Sequence, residues 1–286
     1  VLKLAGVEIP TQMDGQPFLG EQKKEDFVVG YGDRFDELYA FNRTLRKGKY
    51  RYARNYQPYH TQSLFALYRY KQLSFREWKD NFVEGKLNKY QSSFFMPFGP
   101  EELYDLEKDP YEMNNLVHDK KYREVLSEMR KTLKEYLVKK ADLGFFPETV
   151  VLEEGMANPA TWGEANRERI KIFAEIAQLQ TEEYSVKVQK KLEKGLLSAD
   201  AVERMWALTT CAYFAKEASG LKSYAERLLM DERSYVRCRA MVFLSELGVV
   251  FSKSDVLTVL GNVKTGAETM FVPVSYTHLR AHETVL

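Results

Sequence analysis

The chain has 286 residues, of which 44% are hydrophobic and 29% are charged, and its 42 basic and 41 acidic residues leave a formal net charge of +1. This composition is typical of a globular protein with room for two modest domains, and it excludes a chain drawn to nucleic acid or to a membrane by its overall charge. No stretch reaches the roughly 18 apolar residues of a transmembrane helix, so we predict no membrane span. Cys211 and Cys238 fall in apolar helical patterns, which indicates small core residues.

Short strands are predicted in the first half of the chain. In RKGKYRYARNY (46–56), tyrosines alternate with basic residues after Gly48, which is typical of a half-buried strand with its tyrosines inward and its charges outward. The basic residues of this region could also bind single-stranded nucleic acid or an anionic glycan together with the tyrosines, but we favour a strand with its tyrosines inward and its charges outward. These basic residues are Arg43, Arg46, Lys47, Lys49, Arg51 and Arg54. ELYDLE (102–107) predicts a second short strand.

A polar turn and a helix are predicted after this second strand. Asp109-Pro110 starts the turn, because proline fixes its own backbone angle and disfavours helix at the preceding residue. Three later side chains offer oxygens to nearby backbone amides: Glu112, Asn114 and Asn115. Asp119 is the expected cap of a helix whose apolar residues recur every three to four positions: Tyr122, Leu126, Met129, Leu133 and Leu137.

Three segments, in this order, resemble the C-terminal part of the type I sulfatases, in particular bacterial glycan sulfatases and the sulfamidase branch. They are LKLAGVEIPTQMDGQPFLG (2–20), RTLRKGKYRYARNYQPY (43–59) and EELYDLEKDPYEMNNL (101–116), and a charged helix and ADLGFFPE (141–148) follow them. The resemblance covers about residues 2–148 and implies a small antiparallel sheet within an α+β subdomain that is truncated at its N-terminus.

The resemblance also implies a reaction, the hydrolysis of sulfate esters or sulfamates on a glycan, with calcium and a formylglycine nucleophile. The family makes formylglycine within Cys/Ser-x-Pro-x-Arg, and neither Cys211 nor Cys238 stands in such a motif. No Asp-Asp pair and no Asp-Asn-Gly or Asp-His-Gly sequence is present for a calcium site. We therefore predict no catalytic residue, metal ligand or cofactor in this chain, with calcium and formylglycine in a longer parent, and no activity for this fragment alone.

GYGDRFDE (30–37) is the candidate substrate-binding segment, because it lies where the sulfamidase branch places polar residues that face the pocket. Its two glycines would allow a tight turn. Arg34 could bind sulfate or carboxylate oxygens through its fork of donors, and three acids could accept sugar hydroxyl protons: Asp33, Asp36 and Glu37. The alternative is a solvated surface turn. His60 is expected in a loop, as a surface residue or facing the cleft.

The second half is predicted to be helical, with helices near 166–180 and 182–194, the latter ended by Gly195, and with later helices capped by Ser198 and Asp231 and a stop at Gly248. An offset of 34 residues (236 − 202) relates two later helices, and such spacing resembles HEAT-type repeats. Trp206 is expected between the paired helices. The related pairs are Val202 with Val236, Trp206 with Ala240, and Leu208 with Val242.

The sequence thus predicts an α+β sulfatase C-terminal subdomain (1–148), an irregular linker (149–165), an all-α HEAT-like region (166–272) and a non-native tail (273–286) that resembles translated adaptor sequence. The parent is expected to be a sulfatase acting on a sulfated glycan, periplasmic or extracellular in a bacterium. No nucleic-acid partner is expected, and the helical region is a candidate site for a protein partner. The alternatives are a phosphoester hydrolase of the same superfamily and a non-enzymatic HEAT-type interaction module.

Overall fold

The computed structural model describes residues 1–10, 13, 15, 17, 19, 26–35, 38–63 and 66–261. Within these residues a four-stranded antiparallel sheet is followed by helices, so the predicted α+β class is confirmed. The predicted non-native tail at 273–286 lies outside the described residues.

The sheet has the strand order β1-β2-β3-β4, and each strand runs antiparallel to its neighbour. Gly48 lies in the two-residue hairpin between the second and third strands with φ +56°, a left-handed conformation that favours glycine. Leu45 and Tyr52 pair across these two strands and are buried in the core. The strands are β1 (Phe27–Phe35), β2 (Leu38–Lys47), β3 (Tyr50–Asn55) and β4 (Glu101–Asp105).

Three short helices form an arm between β3 and β4, which we call the helical arm (residues 66–98). They are α1 (Leu67–Lys71), α2 (Leu73–Val83) and α3 (Lys89–Ser92), and none of the three contains a buried residue. The arm is held by its own aromatic cluster, in which Trp78 stacks on Phe94 with ring centroids 4.5 Å apart.

The polar turn after β4 forms where the sequence predicts it, with Asp109 and Asn115 accepting hydrogen bonds from backbone amides. Asp109 starts it, and its carboxylate accepts from two backbone amides, at 3.0 and 2.8 Å. Asn115 Oδ1 accepts from the amide of Leu103 in β4 at 3.0 Å, which fixes the chain against the sheet edge. Glu112 differs from the prediction, because its carboxylate pairs with Arg51 of β3 at 2.7 Å rather than with a backbone amide.

The next helix, α4 (Arg123–Lys139), packs on the sheet through one apolar face. Asp119 caps the 3₁₀ turn that leads into it by accepting from the amide of Lys121, as the sequence predicts. Residues three to four apart lie on one face of a helix, and this face is buried: Leu126, Met129, Leu133 and Leu137.

The segment predicted as an irregular linker is helical and packed. It contains α5 (Glu148–Val150), a π-helical turn (Val151–Gly155) and α6 (Pro159–Ala165). Gly155 is buried, and a Cβ on it would lie 2.9 Å from the ring of Trp162. Because it has no side chain, Gly155 permits this close contact.

The remaining helices are α7 (Arg167–Gln178), α8 (Val186–Leu196), α9 (Ala201–Phe214), α10 (Lys222–Leu228), α11 (Ser234–Glu246) and α12 (Lys253–Gly261). Three of them pack directly on α9: α7, α8 and α11. The helix predicted to end at Gly195 ends one residue later, at Leu196. Gly195 is buried, and a Cβ on it would come within 2.9 Å of the Ala207 side chain, so its small size lets α8 approach α9 closely.

Two predicted helix caps are wrong by two residues. Asp200, not Ser198, caps α9 by accepting from the amide of Val202 at 2.8 Å. Arg233, not Asp231, occupies the cap position of α11. The stop at Gly248 is confirmed, since it has φ +84° and its amide donates to Ser245 as in a Schellman turn.

Trp206 is buried as expected, but its ring lies against aromatic residues of the first half rather than only between paired helices. Ring centroids are 5.9 Å from Phe41, 6.0 Å from Tyr56 and 5.7 Å from Phe145. The hydrophobic core thus continues across residue 148, the predicted end of the first subdomain. The six positions related by 34 residues are all buried, and their assignment to HEAT-type repeats remains a prediction.

Candidate functional site

The predicted turn GYGDRFDE is in fact the end of strand β1. Gly30 pairs in register with Thr44 and Gly32 with Asn42, and the register shifts between Gly32 and Arg34. The backbone of Arg34 belongs to the strand, but its side chain lies outside what the structure describes. So do residues Asp36 and Glu37, which connect β1 to β2.

Asp33, the remaining member of the candidate segment, is held by a buried arginine. Arg43 of β2 is 1% exposed and donates from Nη1 to Asp33 at 2.8 Å. Its Nε and Nη2 donate to the two oxygens of Asp142 at 2.6 and 2.9 Å. Burial acts to lower the pKa of Arg43, but the hydrogen bonds and charges of Asp142 and Asp33 outweigh it and raise the pKa.

This network corrects the prediction that the basic residues of the strands all face outward. It also contains Asp142, which the sequence analysis did not single out. Asp142 belongs to the segment ADLGFFPE, whose Gly144 packs so tightly that a Cβ would lie 2.4 Å from Arg43 Nη2 and 2.6 Å from the Phe41 ring. Asp33 keeps 43% of its side chain exposed, so it can still accept a hydrogen bond from a ligand hydroxyl.

His60 is buried and only 5% exposed, so the expectation of a surface histidine is wrong. Its ring packs edge-on against Tyr59 at 4.4 Å between centroids, and the Tyr59 hydroxyl accepts from Arg239 Nη1 of α11 at 3.2 Å. Tyr39 lies close enough to both Arg239 and Asp33 for their charges to act on its pKa. Burial raises the pKa of Tyr39, the charge of Arg239 opposes the shift, and the charge of Asp33 adds to it.

A second buried arginine, Arg54 of β3, joins the sheet to the helices. It is 2% exposed and donates to the carbonyl of Ala177 at 2.6 Å and to Gln180 Oε1 at 2.9 Å, both near the end of α7. It too departs from the predicted outward orientation. Its role is structural, because its hydrogen bonds fix where α7 meets the strand.

A cleft of about 790 Å³ lies beside this junction, and no sequence pattern indicates it, because its lining residues come from distant segments of the chain. Its floor includes Glu101, which accepts from Tyr52 Oη at 2.5 Å and from Arg130 Nε at 2.7 Å. Its walls carry the acidic residues Glu182, Glu183 and Glu217 and the aromatic residues Phe98, Tyr184, Tyr213 and Phe214. Because carboxylates outnumber the paired Arg130, the field in the cleft opposes a sulfated glycan. We therefore do not assign the substrate to this cleft.

No group of three or more His, Cys, Asp or Glu side chains that could hold a metal ion occurs among the residues that the structure describes. Cys211 and Cys238 are both buried without a disulfide, and burial raises the pKa of the Cys211 thiol. A raised pKa disfavours the thiolate, so Cys211 is an inert core residue. None of the described helices is long and apolar enough to span a membrane.

Comparison with known proteins finds no matching family model but several related sulfatases. An ulvan-active sulfatase from Formosa agariphila is 32% identical over 157 residues, covering 54% of this chain and 26% of that protein. A second ulvan-active sulfatase from the same organism is 26% identical over 151 residues, covering 50% of this chain and 28% of that protein. A Δ4,5-hexuronate-2-O-sulfatase from Bacteroides thetaiotaomicron is 39% identical over 54 residues, covering 19% of this chain and 11% of that protein.

A solved structure from Bacteroides thetaiotaomicron, described as a candidate sulfatase, is 23% identical, covers 50% of this chain and 24% of its own, and has a TM-score of 0.32. The chain spans at most 28% of the length of the curated relatives named above. About half of this chain is a sulfatase-like region.

Proposed function

We propose that this chain is the C-terminal part of a glycan sulfatase, in which it positions the substrate and does not carry the nucleophile. The observation that carries the proposal is the 32% identity over 157 residues with an ulvan-active sulfatase. The parent would hydrolyse a sulfate ester on an anionic polysaccharide, outside the bacterial cytoplasm.

The described residues do not fit the two groups that the sulfatase resemblance implies. They contain no carboxylate cluster that could hold calcium, and neither cysteine stands in the formylglycine motif. We therefore derive no step of the reaction through either group, and assign both to the remainder of the parent protein.

The β1–β2 hairpin end is the part of this chain that we propose for substrate binding. The Asp33 carboxylate is fixed by the buried Arg43, so its orientation costs little entropy when a hydroxyl binds. Arg34 follows Asp33 in β1, and its planar fork of donors suits a sulfate or carboxylate group. Asp36 and Glu37 complete the proposed acceptor set in sequence.

The test uses the intact parent enzyme and two substrates. Arg34→Ala should lower kcat/KM on a sulfated oligosaccharide about 10²-fold, which corresponds to about 2.7 kcal/mol of transition-state stabilisation. A small aryl sulfate does not reach the hairpin end, so its kcat/KM should hardly change. The matched control is Arg46→Ala, which removes an exposed arginine from the opposite end of the same hairpin. Equal losses on both substrates, or no loss on the oligosaccharide, would remove the hairpin from the site.

For the helical half we propose that it braces the sulfatase-like half. Trp206 of α9 supports this role, since its indole Nε1 donates to the carbonyl of Phe145 at 2.8 Å, across residue 148. The chain alone should release no sulfate from an aryl sulfate, with or without added calcium, and turnover above a buffer blank would contradict the assignment of the chemistry to the rest of the parent.

A further inference from the structure

The helical arm (residues 66–98) concentrates positive charge in a chain that is nearly neutral overall. It contains six of the 42 basic residues and three of the 41 acidic residues, so the arm carries a net charge of +3 and the rest of the chain −2. Charge that is clustered on one surface raises the local concentration of ligands of opposite sign. The arm therefore favours an anionic partner. Its basic residues are Arg69, Lys71, Arg76, Lys79, Lys86 and Lys89.

Four of these cations lie at the junction of α1 and α2. Arg76 Nη2 of α2 donates to the carbonyl of Lys71, the last residue of α1, at 3.3 Å, and both side chains are exposed. The ammonium of Lys79 lies 5.7 Å from the centre of the Tyr70 ring. In the part of the chain that the structure describes, none of these three cations forms an ion pair with a carboxylate, and neither does the fourth, Arg69. Their charge is therefore available to a ligand.

Aromatic rings accompany these cations. The Arg69 guanidinium lies 5.4 Å from the centre of the Phe94 ring, and its Nη1 donates to the carbonyl of Gln62 at 2.6 Å, so it is held in place before a ligand binds. Tyr68 and Lys71 stand three residues apart in α1, so their side chains lie on one face of the helix. The Tyr68 ring is 74% exposed, and an exposed ring offers an apolar face to the C–H face of a sugar.

We propose that the junction of α1 and α2 binds an anionic polysaccharide, with its cations at the sulfate or carboxylate groups and Tyr68 at a sugar ring. An exposed ion pair contributes little by itself, so the surface suits a polymer with repeated charges rather than a single anion. The inference rests on the proposed function for the class of polymer. It adds a surface that holds the polymer, separate in sequence from the β1–β2 hairpin end that is proposed to bind the substrate.

The experiment measures binding of the 286-residue chain to fluorescently labelled dextran sulfate and to labelled unsulfated dextran by fluorescence anisotropy. The wild type should bind dextran sulfate with an affinity that falls as the salt concentration rises, and it should not bind unsulfated dextran. The arm variant, Lys71→Gln/Arg76→Gln/Lys79→Gln, should bind dextran sulfate about tenfold more weakly at low salt, because it loses three charge contacts. Its affinity should also depend less on salt. Tyr68→Ser should weaken binding without changing the salt dependence, because it removes no charge.

The matched control is Lys187→Gln/Lys190→Gln/Lys194→Gln in α8. It removes the same charge from another exposed helix face, so it should change the affinity by less than about twofold. Undiminished binding by the arm variant, or an equal loss in the control, would overturn the inference. If the arm variant melts at a lower temperature than the wild type, Lys71→Gln alone decides, since this side chain is exposed, and an unchanged affinity would then overturn the inference.

Single-stranded DNA of matched charge tests the nucleic-acid alternative. Tighter binding of this DNA than of dextran sulfate would assign the surface to nucleic acid and overturn the inference. Binding needs no turnover, so a failure of the binding test leaves the sulfatase assignment standing. An intact parent that binds the polysaccharide but hydrolyses no sulfate ester would refute only the proposed function.

Discussion

Replacing Trp206 by alanine tests whether the helices and the sheet unfold as one unit. The indole is 2% exposed and contacts three aromatic rings of the first half, so its removal leaves a cavity that the rigid rings around it cannot fill. Truncating a buried tryptophan costs about 3–5 kcal/mol. The lost bond from Nε1 leaves the Phe145 carbonyl without its donor and adds about 1 kcal/mol or more. We expect a total loss of about 5 kcal/mol, a large share of the 5–15 kcal/mol typical of a domain.

Urea unfolding followed by far-ultraviolet circular dichroism measures this loss. With a slope of about 3 kcal/mol per molar urea, the midpoint should fall by roughly 1.5–2 M. Trp206→Phe keeps most of the buried area but loses the N–H donor and one ring of the indole, so it should cost about 1–3 kcal/mol. Trp78→Ala in the helical arm is the matched tryptophan, and it should leave the main transition in place. A loss below 1 kcal/mol for Trp206→Ala, or two separate transitions in the wild type, would refute a shared core.

Three further substitutions test the buried polar groups. Gly144→Ala should lower the free energy of unfolding in urea by about 1–3 kcal/mol, because its Cβ would lie 2.4 Å from Arg43 Nη2. At Gly220 the nearest atom to an added Cβ is 3.7 Å away, so Gly220→Ala should change the free energy of unfolding little. Equal effects of the two substitutions would contradict the tight packing at Gly144. Glu101→Gln should lower stability by about 3 kcal/mol by leaving Arg130 without its partner, and adding Arg130→Met should restore part of it; no recovery would argue against the pair. For Asp105, burial acts to raise the pKa, but the hydrogen bond and charge of Lys49 outweigh burial and lower the pKa. The stabilisation by the Asp105 carboxylate is therefore present above about pH 4 and is lost as the pH falls further. Asp105→Asn should flatten the acid side of a plot of melting temperature against pH, and an unchanged acid side would contradict this.

The features that were predicted correctly depend on residues that lie close together along the chain. The buried face of α4 follows from a period of three to four residues, and the hairpin at Gly48 follows from local turn chemistry. The orientations of Arg43 and Arg54 were predicted wrongly because their partners are distant in sequence: Asp142 is 99 positions after Arg43, and Ala177 is 123 positions after Arg54. The alternation of polar and apolar residues along a strand cannot show that a charged side chain is buried against a partner from a distant segment.

The structural role of a glycine was also predicted wrongly, for a related reason. Gly30 was expected in a tight turn, but it lies in a strand, where a Cβ would meet Thr44 Oγ1 at 2.6 Å. A sequence shows that a glycine is present, but not whether backbone freedom or lack of a side chain is what the fold requires. The prediction of the α9 cap was wrong for a different reason. Ser198 and Asp200 are both good cap residues, and only the position at which the helix begins distinguishes them.

The helical arm has a consequence for the order in which the sheet assembles. Strands β1, β2 and β3 are joined by short hairpins, but pairing β3 with β4 closes a loop of about 45 residues between Asn55 and Glu101. Loop closure of this length loses more chain entropy than closing a hairpin, so β4 should join a preformed three-stranded meander. If the joining of β4 is the rate-limiting step, contacts that form after it are absent from the folding transition state, and their loss accelerates unfolding more than it slows folding. We expect the bond between Arg43 and Asp142 to belong to this class. Disturbing it should therefore raise the unfolding rate of the chain more than it lowers the folding rate, and the unfolding rate of Gly144→Ala would measure this effect.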